Sequence, residues 1–393
     1  MSAGARACGI PMVLKRVTRA TIQRLAATFP VSAATPDRPE LVLLRPDHLG
    51  DVLFVLPALE RLRRALPEFR IVLLVGPWSR PIVARNPHVD DVLTLAFPGF
   101  TRRRPANAFG PYLQLHQAAA RLRCRGPLAA VVLRDDHWWG AWLCRAAGIQ
   151  LRIGADHPAV RRFLTHPVRQ SGLHWVERNC ELLDATARLL GGQPLSTPIT
   201  PGGAPLRWYS WPGAAAEARA LLRSFGIDHP YVVLHPGSGA AVKHWPVARW
   251  IAVGRQLASE GISLVVTGGT EERDLADAIR MGIGKRAISL AGRTSIPILA
   301  EILRSARLAI GSDSGPLHLA VAVETPTVHL FGPSQPEHFG PWGNPDRHRV
   351  LDAGWRCPRC GDLDPARPAG AGCLLAITVE QVLAACWELL DHA

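Results

Sequence analysis

The chain has 393 residues, 45 Lys+Arg against 32 Asp+Glu (formal charge +13), with 48% hydrophobic and 20% charged residues. This is a globular composition with length for two domains, which excludes an intrinsically disordered chain, and no apolar run reaches the roughly 18–20 residues that cross a bilayer. Lysine occurs only at Lys15, Lys243 and Lys285, so the positive balance is almost all arginine. It favours anionic partners; without a zinc finger or RNP motif these are phosphorylated small molecules or acidic lipid, and nucleic acid is not expected.

Residues 1–40 form an N-terminal basic segment. Over 13–29, Leu14, Val17, Ile22, Leu25 and Phe29 fall on one side of a helix, and Lys15, Arg16, Arg19 and Gln23 on the other. Such a helix fits an anionic membrane surface or the protein's own surface. No continuous apolar core precedes a cleavage site, so a cytoplasmic location is expected, peripheral at the inner face of the plasma membrane if this helix docks there. The eight cysteines then read as thiols or metal ligands and not as disulfides.

From residue 41 strands and helices alternate. Strands are predicted at 41–45, 70–76, 92–95 and 129–133, and helices at 52–66, 81–86, 112–123, 140–147 and 174–190. These make a first Rossmann-like domain over 41–200. A Pro/Gly-rich stretch ends in a linker at 201–213. Strands at 231–234, 263–267, 308–310 and 327–330, and helices at 247–260, 271–281, 298–305 and 316–321, make a second such domain over 214–350. A Cys-containing tail with a helix occupies 351–393. The fold class is α/β: two doubly wound, Rossmann-like domains whose strand-end loops face a cleft.

The strand at 308–310 runs into Gly311-Ser-Asp-Ser-Gly-Pro-Leu-His318. Pro316 suits a first helical position, and Asp313 and Ser314 suit capping of that helix end. Ser314 and Gly315 would then offer a phosphate a helix N-terminus, with His318 donating from the first turn. A capped turn with a packed histidine reads equally well. The first strand ends in Arg45-Pro-Asp-His-Leu-Gly50-Asp51, where Asp51 suits either a proton acceptor for an incoming hydroxyl or an N-cap. The strand at 231–234 ends in His235-Pro-Gly-Ser238-Gly239, whose backbone N–H groups suit phosphate oxygens. Lys243 follows as a point charge suited to a diphosphate, or as a solvated lysine beside a packed Trp245. Thr267-Gly-Gly-Thr-Glu271-Glu272 offers a carboxylate to a ribose, or an acid to a helix dipole. Together these lay out a transferase with a nucleotide-activated donor: three strand ends hold phosphate and ribose, and one carboxylate faces them from the other domain.

The run from Leu43 to Leu59 around Gly50-Asp51, then His235-Pro-Gly-Ser-Gly, Lys243-His-Trp-Pro, Gly268-Gly-Thr-Glu-Glu, Leu290-Ala-Gly-Arg-Thr-Ser and the 311–318 loop follow one another in order. In this the chain, over roughly residues 41–390, resembles the heptosyltransferases of glycosyltransferase family nine, which use ADP-heptose in lipopolysaccharide core assembly. The resemblance implies the GT-B fold, inversion at the anomeric carbon and no catalytic metal. It implies a nucleotide-sugar donor, here an ADP-sugar, and an anionic glycolipid or saccharide acceptor. It implies Asp51 as base on the acceptor hydroxyl and Lys243 on the donor diphosphate, with Ser238 and Gly239 beside it. It implies Glu272, or Glu271, on the nucleoside, and Asp313, Ser314, Gly315 and His318 around donor sugar and diphosphate. Other functions of such a layout are a GT-B transferase or epimerase for another nucleotide sugar, or a catalytically silent nucleotide-sugar-binding protein.

On the acceptor side, Arg102, Arg103 and Arg104 form a basic loop suited to a phosphorylated or lipid-linked group, or a solvated charge run. Asp136, in Arg134-Asp-Asp-His-Trp-Trp139, follows a strand end of the same domain. Trp138 or Trp139 suits stacking on a sugar or plain packing. Cys357, Cys360, Cys373 and Cys386 carry thiolates at a spacing compatible with structural zinc or iron. A related branch, the autotransporter heptosyltransferases, carries a four-cysteine iron in a comparable place. Cys8, Cys124, Cys144 and Cys180 read as inert.

Overall fold

The computed structural model describes residues 38–101, 109–354 and 374–391. Two six-stranded sheets carry the fold, and every strand pairing within them is parallel. The first runs β3-β2-β1-β4-β5-β6, from β1 (Glu40–Arg45), β2 (Arg70–Val75), β3 (Asp91–Thr94), β4 (Ala129–Val132), β5 (Leu151–Ala155) and β6 (His166–Val168). The second runs β12-β11-β10-β7-β8-β9, from β7 (Tyr231–His235), β8 (Ser263–Val266), β9 (Ala287–Ser289), β10 (Leu308–Ser312), β11 (Thr327–Phe331) and β12 (His348–Asp352). The central strands are buried along their whole length, as in β1 with Leu41 to Leu44 at 0% exposure. Continuous apolar strands of this kind need helices on both faces.

The first sheet is covered by α1 (Leu49–Leu53), α2 (Leu56–Ala65), α3 (Arg80–Val83), α4 (Gly110–Arg125), α5 (Trp138–Ala146) and α6 (Trp175–Leu189). The second is covered by α7 (Ala214–Ser224), α8 (Val247–Ser259), α9 (Arg273–Ile283), α10 (Ile296–Arg304), α11 (Gly315–Ala322), α12 (Pro336–Phe339) and α13 (Val379–Asp391). No helix among the described residues is long and apolar enough to cross a membrane. The single helix predicted over 52–66 is two helices. The chain kinks at Phe54 and Val55, and Pro57 then sits in the first turn of α2, where its missing N–H costs nothing. Strands β5, β6, β9 and β12 and helices α7 and α12 are additional to the predicted elements. The N-terminal helix predicted over 13–29 lies outside the described residues.

The strand order reverses between β1 and β4 in one sheet and between β7 and β10 in the other. Ligands of open α/β sheets bind beyond the strand ends at such points. The segments after β1, β7 and β10 carry Asp51, in the first turn of α1, and the loop residues Ser238 and Asp313. One apolar cluster includes Leu41 and Leu73 from the first sheet and Val233, Leu317 and Trp342 from the second part of the chain, so the core continues across the seam. Arg61, only 4% exposed, clamps the connecting segment. Its Nη2 meets Asp184 Oδ2 at 2.7 Å and donates to Leu195 O at 2.8 Å, and its Nη1 donates to Thr197 O at 2.9 Å.

Candidate active site

On the second-sheet wall, Asp313 lies between β10 and α11 and is 5% exposed. Lys243 Nζ donates to its Oδ2 at 2.6 Å, Ser334 Oγ donates to the same oxygen at 2.6 Å, and His318 Nε2 meets Oδ1 at 3.2 Å. Burial pushes the Asp313 carboxyl up, but the Lys243 ammonium and the His318 hydrogen bond outweigh it and hold the group far below the usual carboxylate range. Both oxygens of Asp313 are thus committed. In place of the expected capping role, Asp313 orients Lys243 and His318. Ser314 does occupy the N-cap position of α11, yet its side chain makes no capping bond and its Oγ is buried without a protein partner. Pro316 falls one residue inside the helix, after Gly315. Pro316 has no N–H and Leu317 N–H donates to Ser314 O at 3.1 Å, so Gly315 is the position whose N–H suits an anion here.

The loops after β7 and β8 close on each other through Glu272. Its Oε2 accepts from Gly269 N–H at 2.6 Å. A Cβ added to Gly237 would lie 2.0 Å from its Oε1, so any side chain there would push the Glu272 carboxylate aside. Glu271, one position earlier, is exposed. Ser238 Oγ donates to Ala240 O at 2.7 Å and shapes the loop, beside an open Gly239. A short 3-10 helix, Ala241–Lys243, then aims Lys243 at Asp313. Trp245 is packed as expected: it is 1% exposed and its Nε1 donates to Ile377 O at 3.1 Å.

On the first-sheet wall, Asp51 lies in the first turn of α1, with His48 at the N-cap. Its side chain is one-third exposed. Burial of the carboxyl and the nearby Asp47 charge raise its pKa, partly offset by Arg45, Arg134 and Lys243. The two walls meet here. A Cβ on Gly50 would lie 3.1 Å from His318 Cδ2, and one on Gly315 would lie 3.1 Å from Gly50 N. Phe54 packs edge-on against His318 at 4.7 Å between ring centroids and against His174 at 5.0 Å. His174 also stacks on Trp342 at 4.6 Å, and its Nε2 donates to Gly340 O at 3.1 Å. Asp51, Lys243, Asp313, Gly315 and His318 therefore belong to one site at the seam.

The structure adds residues to which the sequence reading gave no role: Arg45, Asp47, Arg134, His174 and Ser334. Arg45 and Asp47 flank Pro46 in the same loop as Asp51, a charged pair at a strand end that could have drawn attention. Nothing local marks Ser334, whose partner Asp313 is distant in sequence, and His174 is marked locally only as the N-cap of α6.

Asp136 is away from this cluster. It is paired with Arg134, whose Nε meets its Oδ1 at 2.5 Å, and lines a cavity of about 450 Å³ with Phe100, Tyr112, His137 and Trp138. Trp139 is packed, 3% exposed, with Nε1 donating to Pro111 O at 3.2 Å. Trp138 stacks on Trp142. Arg102, Arg103 and Arg104 lie outside the described residues, as do Cys357, Cys360 and Cys373. Cys386 is inside α13 at 0% exposure, among Leu389, Leu390 and Val382, and burial pushes its thiol up. Among the described residues no group of histidine, cysteine and carboxylate side chains gathers to hold a metal ion.

Comparison with known proteins bears on the family and the fold. The family model for glycosyltransferase family 9 (heptosyltransferase) matches residues 124–365. Lipopolysaccharide heptosyltransferase 3 of Escherichia coli K12 is 29% identical over 301 residues, 75% of this chain and 82% of that protein. The crystal structure of a family 9 glycosyltransferase from Veillonella parvula superposes with a TM-score of 0.75 at 22% identity, covering 92% of this chain and 100% of that one. That of the E. coli ADP-heptose lipopolysaccharide heptosyltransferase II gives 0.71 at 21% identity, covering 90% and 99%.

Proposed function

The chain belongs to glycosyltransferase family 9, the heptosyltransferases, and from that premise we propose that it transfers heptose from an ADP-heptose donor to a lipopolysaccharide-type acceptor with inversion. One observation carries this reading: Asp51 of the first-sheet wall adjoins the Lys243–Asp313–His318 cluster of the second across the Gly50–Gly315 contact. The reading divides the chain into an acceptor domain at 41–200 and a donor domain at 214–350, joined by the linker at 201–213. The relatives' names support the donor and acceptor classes.

A sugar hydroxyl is a poor nucleophile, so its proton must leave as the new bond forms. In this reading Asp51 Oδ takes that proton while the hydroxyl oxygen attacks the anomeric carbon. The raised pKa of Asp51 makes it a stronger base than an ordinary carboxylate. The bond from the anomeric carbon to the diphosphate oxygen breaks on the opposite face, and its electron pair leaves with ADP. Lys243 and Gly315 N–H stabilise that growing charge, preorganised by Asp313 and the α11 N-terminus. Glu272 serves the nucleoside, with Glu271 beside it, and Ser238 and Gly239 line the diphosphate. The cavity beside Asp136, with the basic run 102–104, serves the acceptor.

Asp51→Asn tests the reading. Turnover should fall by about 10²–10⁴-fold, the usual contribution of a general base, while calorimetry finds ADP-heptose binding retained. Unchanged turnover overturns the role of Asp51. A calorimetric screen of ADP-, GDP- and UDP-sugars tests the donor, and binding of another donor in preference to ADP-heptose overturns it.

A further inference from the structure

Behind Asp51 stands a row of alternating charges that the proposed chemistry does not yet use. Arg45, the last residue of β1, and Asp47 are each 1% exposed. Arg45 Nε and Asp47 Oδ2 form an ion pair at 2.8 Å that is electrostatic and not squarely hydrogen-bonded. Arg45 Nη1 donates to Leu133 O at 2.9 Å, just after β4. Its Nη2 lies 3.7 Å from Asp51 Oδ1. On the far side, Arg134 Nη1 pairs with Asp47 Oδ1. Trp78 Nε1 at 3.0 Å and Ser79 Oγ at 2.9 Å both donate to the Asp47 carbonyl and pin its backbone.

Burying an ion pair this completely is a poor way to gain stability, since desolvation costs about what the attraction returns. What the row does is act on its exposed end. We propose that Arg134, Asp47 and Arg45 form a charge relay that positions Asp51 and sets its basicity. The proposal rests on Asp51 being the base, and the three are positioning residues that do not touch substrate. Arg45 alone would pair directly with Asp51 and weaken it as a base. Asp47 draws the guanidinium to itself, 2.8 Å against 3.7 Å, and its own charge repels that of Asp51. The proton of the acceptor O–H bond then has a carboxylate free to receive it. Once Asp51 is neutral, Arg45 is still balanced by Asp47 and Arg134 by Asp136, so no charge is stranded. Besides the relay, Lys243 acts on Asp51 from across the seam, and His318 lies against the neighbouring Gly50; the relay variants leave both unchanged.

The test is the acid limb of the kcat profile in opposing variants. Removing the Asp47 charge in Asp47→Asn leaves Arg45 and Arg134 to act on Asp51, so the limb moves to lower pH. Removing a positive charge in Arg45→Gln moves it to higher pH, by about one unit for a charge at this distance. Arg134→Gln, at a side chain 35% exposed, moves it the same way and substitutes if Arg45→Gln does not fold. Opposite shifts support the relay, because a residue that only stabilises the loop would lower activity without moving the limb in either direction. Fixed limbs, or shifts of one sign in all variants, overturn it. Asp51→Asn separates the two levels. If it keeps full turnover, the base assignment fails and the relay fails with it; if it abolishes turnover while the limbs stay fixed, only the relay fails.

Discussion

Substituting Gly315 with alanine probes the seam without removing a polar group. Its new Cβ would lie 2.6 Å from Leu49 Cδ2, 3.0 Å from Leu49 Cβ and 3.1 Å from Gly50 N. Carbon contacts settle near 3.5–4.0 Å. The Leu49 methyl turns aside cheaply, but its Cβ and the Gly50 backbone do not, so the walls separate by about half an ångström. A misplacement of ~1 Å costs about 100-fold in rate, which puts Gly315→Ala near a tenfold loss of kcat. Overpacking adds a stability loss of about 1–3 kcal/mol. Donor affinity should change little, because Lys243, Asp313, His318 and Glu272 all sit on one wall. Gly50→Ala is the milder partner, with its nearest contact the edge of the His318 ring at 3.1 Å. ADP release under saturating donor, calorimetry with ADP-heptose and thermal unfolding would be compared for both variants. A kcat within twofold of wild type for Gly315→Ala, or a larger loss for Gly50→Ala, would refute the close-approach argument.

Lys243→Gln removes a charge-assisted contact and should weaken ADP-heptose binding by about 10–100-fold in calorimetry. It also frees Asp313 from the partner that depresses its pKa. The stability from that depression is present above the ordinary value of 3.8 and is lost as pH falls below it, so the Tm gap between wild type and Lys243→Gln should narrow below about pH 4; a gap constant from pH 7 to 3 would contradict the ion pair. His137, His174 and His348 are each pushed down to about 4, chiefly by burial. Unfolding lets them bind protons between pH 6.5 and 4, so stability is complete above 6.5 and falls through that window, by up to about 1.4 kcal/mol per pH unit for each histidine. Urea unfolding at pH 7 and pH 5 measures this. His348→Gln should flatten the slope by about one proton, and a profile already flat in the wild type would refute the burial argument.

The central strands were legible because a strand buried on both faces is a plain apolar run, as in Leu41-Val-Leu-Leu44 or Val232-Val-Leu234. Toward the sheet ends β3 was read, but β5, β6, β9 and β12 were not. Arg152 and Gly154 interrupt β5, Pro167 sits inside the three-residue β6, and β12 alternates between covered and exposed residues. The kink between α1 and α2 was hidden by an unbroken apolar pattern from Val52 to Leu59, because both helices bury nearly all of those residues. At the site, loop chemistry revealed the members but not their partners. Asp313 and Ser314 suit a helix cap in any αβ turn. Only the fold brings Lys243, seventy positions earlier, to the carboxylate that local rules assign to the cap. Asp47 was passed over for the same reason, since its role depends on Arg134 at the end of another strand.

The arginine-rich composition takes on a second meaning in the structure. Its +13 charge reads as an appetite for anions, yet many arginines are engaged inside the protein. Arg38 donates to the carbonyls of Pro67, Glu68 and Phe69, Arg152 to those of Ile149 and Phe163, Arg249 to those of Leu375 and Ile377, and Arg307 to that of Leu390. Five fixed donors suit arginine to tying loops to strand ends. Lysine does this poorly, and among the described residues it occurs at Lys243 in the site and at the exposed Lys285. A fork at position 243 could hold both oxygens of Asp313 at once and would stay there when a diphosphate approached. The single mobile ammonium of Lys243 keeps one short bond to Asp313, and its remaining protons are available to phosphate oxygens. That difference makes a lysine the fitting cation at the seam of a chain that otherwise relies on arginine.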